Sequence, residues 1–182
     1  MVLTQPVPPR VIVVSPRAKS RIAPEQHIWT IVNPSSYAIG DELVDARLAW
    51  KEYQSTRRRD AIYDYLRAVF KIVSRWRKEH RAKASSHQAL RTFGRAARIR
   101  NLQPFGVVIL CTSDPLKVDA KTRSKWSRAL RYCERFKPDA QSLGQFIKSQ
   151  GGINECAARW SDRLAELAKN ARSLSRSPAA RF

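Results

Sequence analysis

The sequence predicts a mainly α-helical protein, in which a compact multi-helix domain lies between an extended arm and a short disordered tail. Through most of residues 41–172, apolar residues recur at steps of three and four, the spacing that lines one face of a helix. The length of 182 residues is typical of one domain. The prolines within that range fall between the periodic segments: Pro104, Pro115 and Pro138.

The two ends of the chain differ in composition from this domain. Residues 1–40 are predicted to form an extended, proline-rich, basic arm, because five of the ten prolines occur before residue 27. Two β-branched runs, Val11–Val14 and Ile28–Val32, predict a minor β hairpin near residues 11–32. Residues 173–182 are rich in Ser and Arg, which predicts a short disordered tail.

Two amphipathic segments open the helical domain. The first runs from Leu43 to Tyr53, and the second is a wider apolar stripe from Ile62 to Trp76. The chain between them, residues 55–59, is compatible with one long helix or with an antiparallel pair of helices, and we favour the pair. A third helix is predicted over residues 86–100, with Leu90 facing inward.

Residues 105–110 are ambiguous, because Pro104 suits a helix start whereas the Val-Val-Ile run suits a buried strand. We interpret them as a short buried helix. Asp119 is predicted to cap the next helix, which ends at Lys137. Its predicted buried face contains Trp126, Ala129, Leu130, Cys133 and Phe136.

The last part of the domain is predicted to be a short helix over residues 142–149, a glycine turn at Gly151 and Gly152, and a long final helix. An apolar seam follows the final helix, and either the protein's own helices or a second copy must cover it. A homodimer is therefore one expectation. The seam consists of Ile153, Ala157, Trp160, Leu164, Leu167, Ala171 and Leu174.

Charge indicates the class of partner. Thirty-five Lys and Arg against fifteen Asp and Glu give a formal charge of +20, and the surplus is spread along the chain. Because such a charge repels itself in a compact protein unless a polyanion neutralises it, nucleic acid is the expected partner. The apolar runs are too short for a membrane span, so no membrane partner is expected, and a cytoplasmic location is expected.

Two basic stripes are the predicted contacts to nucleic-acid phosphates, because few acids lie at the neighbouring helical positions. The alternative for each stripe is an ordinary solvated helical face. One stripe consists of Arg91, Arg95 and Arg98, with Arg100 beyond them. The other consists of Lys121, Lys125, Arg128 and Arg135, and it is flanked by Arg123 and Arg131.

Residues 142–167 have the outline of a helix-turn-helix, whose second helix places its first residues in the major groove of DNA. Asn154 and Arg159 are the candidates for base recognition, since Asn pairs with adenine and Arg with guanine. The alternative interpretation is that Asn154 caps its helix and that Arg159 pairs with Glu155 on the surface.

The sequence lacks the common motifs of nucleotide binding, metalloprotease and esterase chemistry, so we predict a non-enzymatic protein without cofactor or metal. The three cysteines, Cys111, Cys133 and Cys156, are expected to be buried free thiols. The predicted function is nucleic-acid binding, with double-stranded DNA favoured over RNA. The alternatives are an RNA-binding protein and a small adaptor that docks an acidic protein partner.

Overall fold

A computed structural model describes residues 36–56, 58, 60–95 and 103–175, with backbone alone for 36–38 and 173–175. All of them belong to the larger of two units of the chain, Val32–Phe182. The hairpin predicted near residues 11–32 lies outside the described residues. Within the described ranges the chain forms eight helices and no strand, which confirms the predicted fold class: α1 Ser36–Glu42, α2 Val44–Ser55, α3 Ala61–Lys78, α4 Ala82–Thr92, α5 Pro104–Thr112, α6 Ala120–Phe136, α7 Leu143–Ser149 and α8 Ile153–Ser175.

The first three helices form one end of the core. α1 begins at Ser36, within the residues predicted as arm, and Ile39 is buried. α2 and α3 are separate helices packed on each other, as predicted. The rings of Trp50 in α2 and Tyr65 in α3 lie 5.1 Å apart, and both also contact Trp126 of α6. These aromatic contacts join the start of the domain to its second half.

Glu42, the last residue of α1, holds α1 against α3 and the start of α4. Its carboxylate accepts hydrogen bonds from Trp76 Nε1 at 2.5 Å and from Arg75 at 3.2 Å. The guanidinium of Arg81 lies 3.0 Å away. Burial favours a raised pKa for Glu42, but the hydrogen bonds and charges of these partners outweigh it and lower the pKa below its ordinary value.

α4 ends earlier than the sequence predicts. Gly94 adopts φ +64°, Arg95 N donates to Leu90 O at 2.7 Å, and Gly94 N donates to Arg91 O at 3.1 Å. This is a Schellman motif, which terminates a helix where a glycine can adopt positive φ. The prediction of one helix over residues 86–100 is therefore wrong, because Arg95 lies beyond the end of α4.

α5 confirms the helical interpretation of residues 105–110. Pro104 occupies its first turn, and the residues from Phe105 to Thr112 are all buried. Helices α2, α3, α4 and α6 pack around it. Tyr65 OH and Thr112 Oγ1 lie 2.9 Å apart, so the polar groups within this apolar surrounding are paired.

α6 begins where the sequence predicts, since the Asp119 side chain accepts a hydrogen bond from Thr122 N at 2.7 Å. Of its predicted buried face, Phe136 is an exception, because its ring is 38% exposed at the end of the helix. Arg163 lies over that ring, 5.4 Å from the centroid. Three further apolar residues of α6 and α7 are buried, as predicted: Trp126, Leu130 and Phe146.

α8 is covered only along its first half. Cys156 and Ala157 are buried against the core, and Trp160 is half-buried. From Asp162 to Arg172 every residue is exposed, so the described part of the chain does not cover Leu164, Leu167 or Ala171 of the predicted seam. The helix itself continues through Ser175, into the residues predicted as tail.

All three cysteines are free and buried, as predicted. Cys133 of α6 and Cys156 of α8 are both 0% exposed, at the interface where these two helices pack. Burial raises the pKa of Cys111 to about 11, although the charges of Arg95 and Arg47 act in the opposite direction.

Candidate nucleic-acid interface

α6 carries six basic residues and a single acid, Glu134. Glu134 does not neutralise the basic face, because its carboxylate is directed to α3, where it lies 2.5 Å from Arg77. Burial raises the pKa of Glu134 above its ordinary value, and the charges of Arg77 and Arg131 act against that shift. The single negative charge of α6 is therefore used within the fold.

None of the six bases forms an ion pair with a described residue. Lys121 and Arg135 are exposed, and Arg123 and Lys125 are half-buried. The pKa of Asp119 is lowered first by its hydrogen bonds with Thr122 and then by the charges of Lys121 and Lys125. We refer to Lys121, Lys125 and Arg135, which lie on one side of the helix, as the α6 basic face. Arg123 lies about 160° from Lys125 around the helix axis and is not part of this face.

The other two bases of α6 lie in its contact with α8. Arg128 Nη1 donates to Ser161 Oγ at 2.6 Å, and the Arg131 guanidinium lies 4.8 Å from the centre of the Trp160 ring. Burial lowers the pKa of Arg131, and the charge of Arg77 lowers it further. Because both side chains contribute to helix packing, they are less available for phosphate than the sequence pattern predicts.

The second predicted stripe is not continuous on one helix. Arg91 is exposed in the last turn of α4, whereas Arg95 follows the Schellman turn and lines a separate depression with Arg47 and Lys51. Arg98 and Arg100 lie outside the described residues. The sequence contained the signal for this break, since Gly94 is a residue typical of helix ends.

The predicted base-recognition residues differ in their surroundings. Asn154 is exposed in the first turn of α8 and is not its cap, because the helix begins at Ile153 after Gly151 and Gly152, which have φ of +91° and +99°. Arg159 donates to Glu155 Oε1 at 3.0 Å and to Gln150 Oε1 at 2.6 Å. The surface ion pair that the sequence offered as the alternative for Arg159 is therefore present.

A shallow depression brings one predicted phosphate contact and one predicted base contact together. Lys125 of α6 and Asn154 of α8 line it with Tyr63 of α3, in a volume of about 270 Å³. The rest of its wall is formed by Trp126, Gly151, Gly152 and Ile153. Sequence analysis missed Tyr63, which lies beside the apolar stripe of α3 and carries no motif.

Comparisons of this chain with models of protein families, with curated proteins and with solved structures find no match. Among the described residues, no group of three or more His, Cys, Asp or Glu is arranged to hold a metal ion. Within the same ranges, no helix has both the length and the apolar character needed to cross a membrane.

Proposed function

We propose that this chain is a non-enzymatic nucleic-acid-binding protein that contacts the phosphates of double-stranded DNA through the α6 basic face. The observation that carries the proposal is that the bases on α6 lack ion-pair partners among the described residues. The one acid of the helix is held by α3. A phosphate that neutralises such a base releases a condensed counterion, which favours binding.

We favour duplex DNA over RNA because of the shape of the major groove. A helix with a basic face fits the major groove of B-form DNA, whereas the major groove of an RNA helix is too narrow for side chains to read. The depression shared by Lys125 and Asn154 supports the same choice, because it sets a phosphate-binding base beside an amide at the start of α8. α7, the glycine turn and α8 would then act as the helix-turn-helix.

Titration of labelled duplex DNA, single-stranded DNA and RNA at several salt concentrations tests this function. Three phosphate contacts predict that log K falls against log[salt] with a slope of about −2.7 on duplex DNA. Stronger binding to RNA would favour the RNA-binding alternative. The absence of binding to all three at low salt would exclude a nucleic-acid function and leave an acidic protein as the expected partner.

Asn154→Ala is expected to reduce discrimination among duplex sequences while leaving the salt slope unchanged. Loss of one bidentate contact to adenine costs about 1–3 kcal/mol at the recognised base pair. Binding of wild type and variant to randomised duplexes, followed by sequencing of the bound fraction, measures this effect. Lys125→Ala is the matched comparison, because it should weaken binding to all sequences equally. An unchanged preference in Asn154→Ala would contradict base recognition by this residue.

We also propose that two copies of the chain associate through the second half of α8. Leu164 is 39% exposed and Leu167 is 52% exposed, and both signs of charge alternate beside them, with Asp162 and Glu166 among Arg163 and Lys169. Acids and bases on the same helix suit pairing with a second copy despite the overall +20 charge. A dimer would double the phosphate contacts and fit a two-fold DNA site.

Sedimentation equilibrium at moderate salt tests the dimer. The wild type is expected to show a species of twice 20.8 kDa, and Leu164→Asp is expected to show the monomer. Because Leu164 is exposed, the variant should keep the circular dichroism spectrum of the wild type. A wild-type protein that remains monomeric up to about 100 μM would contradict the proposal.

The state of the cysteines supports a cytoplasmic location within this proposal. Cys111, Cys133 and Cys156 are all free, the state that a reducing compartment maintains.

A further inference from the structure

We propose that a second site on this protein, formed by Arg47, Lys51 and Arg95, binds the phosphate group of a phosphomonoester. These residues line one depression with a volume of about 270 Å³, between α2 and the ends of α4 and α5. We refer to it as the α2–α5 pocket. The inference does not depend on DNA binding by the α6 basic face, because none of these residues lies on α6.

The three bases are available to a ligand. None of them forms an ion pair with a described residue. The guanidinium of Arg47 is fixed in position over the ring of Phe93, 4.9 Å from its centre. Arg95 is positioned by the Schellman turn, in which its backbone N–H donates to Leu90 O. Two of the three bases are therefore set beside the pocket by different elements, Arg47 by its contact with Phe93 and Arg95 by the turn after α4.

The one acid in the pocket does not neutralise these bases. Asp114 Oδ1 accepts a hydrogen bond from Leu116 N at 2.9 Å, and the carboxylate makes no ion pair with the three bases. The hydroxyl groups of Thr112 and Ser113 donate to the carbonyls of Val108 and Ile109, at 2.7 and 2.6 Å. The bases are thus the charged donors that remain for an anion, beside the indole N–H of Trp50.

An alternative role for the three bases is to neutralise the carbonyl ends of α4 and α5, because both of these negative helix ends border the pocket. Each carbonyl end is equivalent to about −0.5 charge, so two ends contribute roughly −1. Asp114 contributes one further negative charge, and the three bases contribute three positive charges. A net charge of about +1 therefore remains, which an anion from outside the fold would neutralise.

The size of the pocket restricts the ligand. Pockets for drug-sized molecules have volumes of about 300–1,000 Å³, and this pocket is smaller. A phosphate at the end of a molecule carries about −1.5 to −2 charge at pH 7 and three acceptor oxygens, so it offers the three bases more than a phosphodiester within a chain does. Trp50, Phe93 and Leu110 form an apolar wall. This wall would contact the part of the ligand that is bonded to the phosphate. The source is either a small free phosphomonoester or the terminal phosphate of a nucleic-acid strand.

Titration with inorganic phosphate at constant ionic strength tests the site, with the indole N–H signal of Trp50 followed by NMR. A saturable shift is expected. Lys51→Gln and Arg95→Gln are each expected to weaken the affinity by about tenfold or more, since each removes a charge-assisted contact. Lys51 has no hydrogen bond or ion pair with a described residue, so Lys51→Gln should fold as the wild type does. Lys83→Gln, an exposed position in α4, is the matched control and should bind as the wild type does.

Two further measurements identify the source of the phosphate and separate this site from α6. Tighter binding of a 5′-phosphorylated than of a 5′-hydroxyl oligonucleotide, lost in Lys51→Gln, would identify a strand end. Binding of inorganic phosphate without that difference would identify a small phosphomonoester. A variant of Lys121 and Lys125 should keep the phosphate response even if duplex binding fails. A shift that does not saturate, or equal affinities in Lys51→Gln and Lys83→Gln, would overturn the inference.

Discussion

Replacement of both Lys121 and Lys125 by alanine is expected to weaken duplex binding about 60-fold in 0.1 M salt and to make the salt slope less steep by about 1.8. Each phosphate contact contributes about 0.9 to that slope, and the contacts lose their electrostatic advantage near 1 M salt. Two lost contacts therefore cost about 1.8 decades of affinity at 0.1 M. Fluorescence anisotropy of a labelled duplex, repeated at four or five salt concentrations, measures both quantities.

A variant with the same change in net charge separates this effect from the loss of overall positive charge. Lys71 and Lys83 are exposed on α3 and α4, away from the α6 basic face in sequence, and neither forms an ion pair with a described residue. Their double replacement by alanine should change the affinity by less than about threefold. If both double variants weaken binding equally, α6 is not the contact surface.

Arg128 is a poor choice for this experiment, although the sequence places it on the same stripe as Lys125. Its Nη1 donates to Ser161 Oγ at 2.6 Å across the contact of α6 with α8. Arg128→Ala would therefore disturb helix packing as well as charge. A loss of binding in that variant would not distinguish a phosphate contact from a change of fold.

Glu42→Gln is expected to lower the free energy of unfolding at neutral pH by about 2 kcal/mol. Glu42 accepts hydrogen bonds from Trp76 and Arg75 and pairs with Arg81, and its side chain is only 20% exposed. The amide removes the negative charge while two guanidinium groups remain beside it, so their partial burial is no longer compensated. Urea denaturation, followed by circular dichroism, measures the loss.

The pH dependence of this effect follows from the direction of the pKa shift. Because the pKa of Glu42 is lower in the folded protein than in the unfolded chain, the carboxylate stabilises the fold above the unfolded value of about 4.3. That contribution is lost as pH falls through the folded pKa. The difference between wild type and Glu42→Gln should thus be constant above about pH 5 and shrink below it.

Glu52→Gln is the matched control for Glu42→Gln. The Glu52 side chain is 53% exposed, and its pairing distance to Arg58 is 3.8 Å, so its loss should cost less than about 0.5 kcal/mol. Equal destabilisation by the two variants, or a Glu42→Gln effect that grows at low pH, would contradict a stabilising role for the Glu42 carboxylate.

Local sequence signals predicted α3, α5 and α6 well, because each is specified by residues close together in the chain. The stripe from Ile62 to Trp76, the proline at the start of α5 and the Asp119 cap all act within a few turns. α4 was predicted too long because the apolar period continues past Gly94, whereas the Schellman turn ends the helix there. The period of a segment does not by itself show where the helix stops.

The candidate interface depends more on distant parts of the chain, which limits what sequence can predict. On α6, Arg128 and Arg131 lie beside the apolar stripe, where a base can face solvent or pack under a neighbour. Ser161 and Trp160 decide between these outcomes, and they are about thirty residues away. The approach of Lys125 to Asn154 and the pocket around Arg95 likewise require α2, α3, α5 and α8 in place.

α5 has a consequence for the order in which the chain can fold during synthesis. Its residues from Phe105 to Thr112 are buried, and helices from before and after it in sequence cover them. While the ribosome has released only α1–α4, the apolar faces of those helices lack their central partner. The growing chain therefore exposes these faces until α6 has emerged, and such a chain is a substrate for chaperones that bind apolar segments. Fragments that end before residue 112 are therefore expected to aggregate rather than fold.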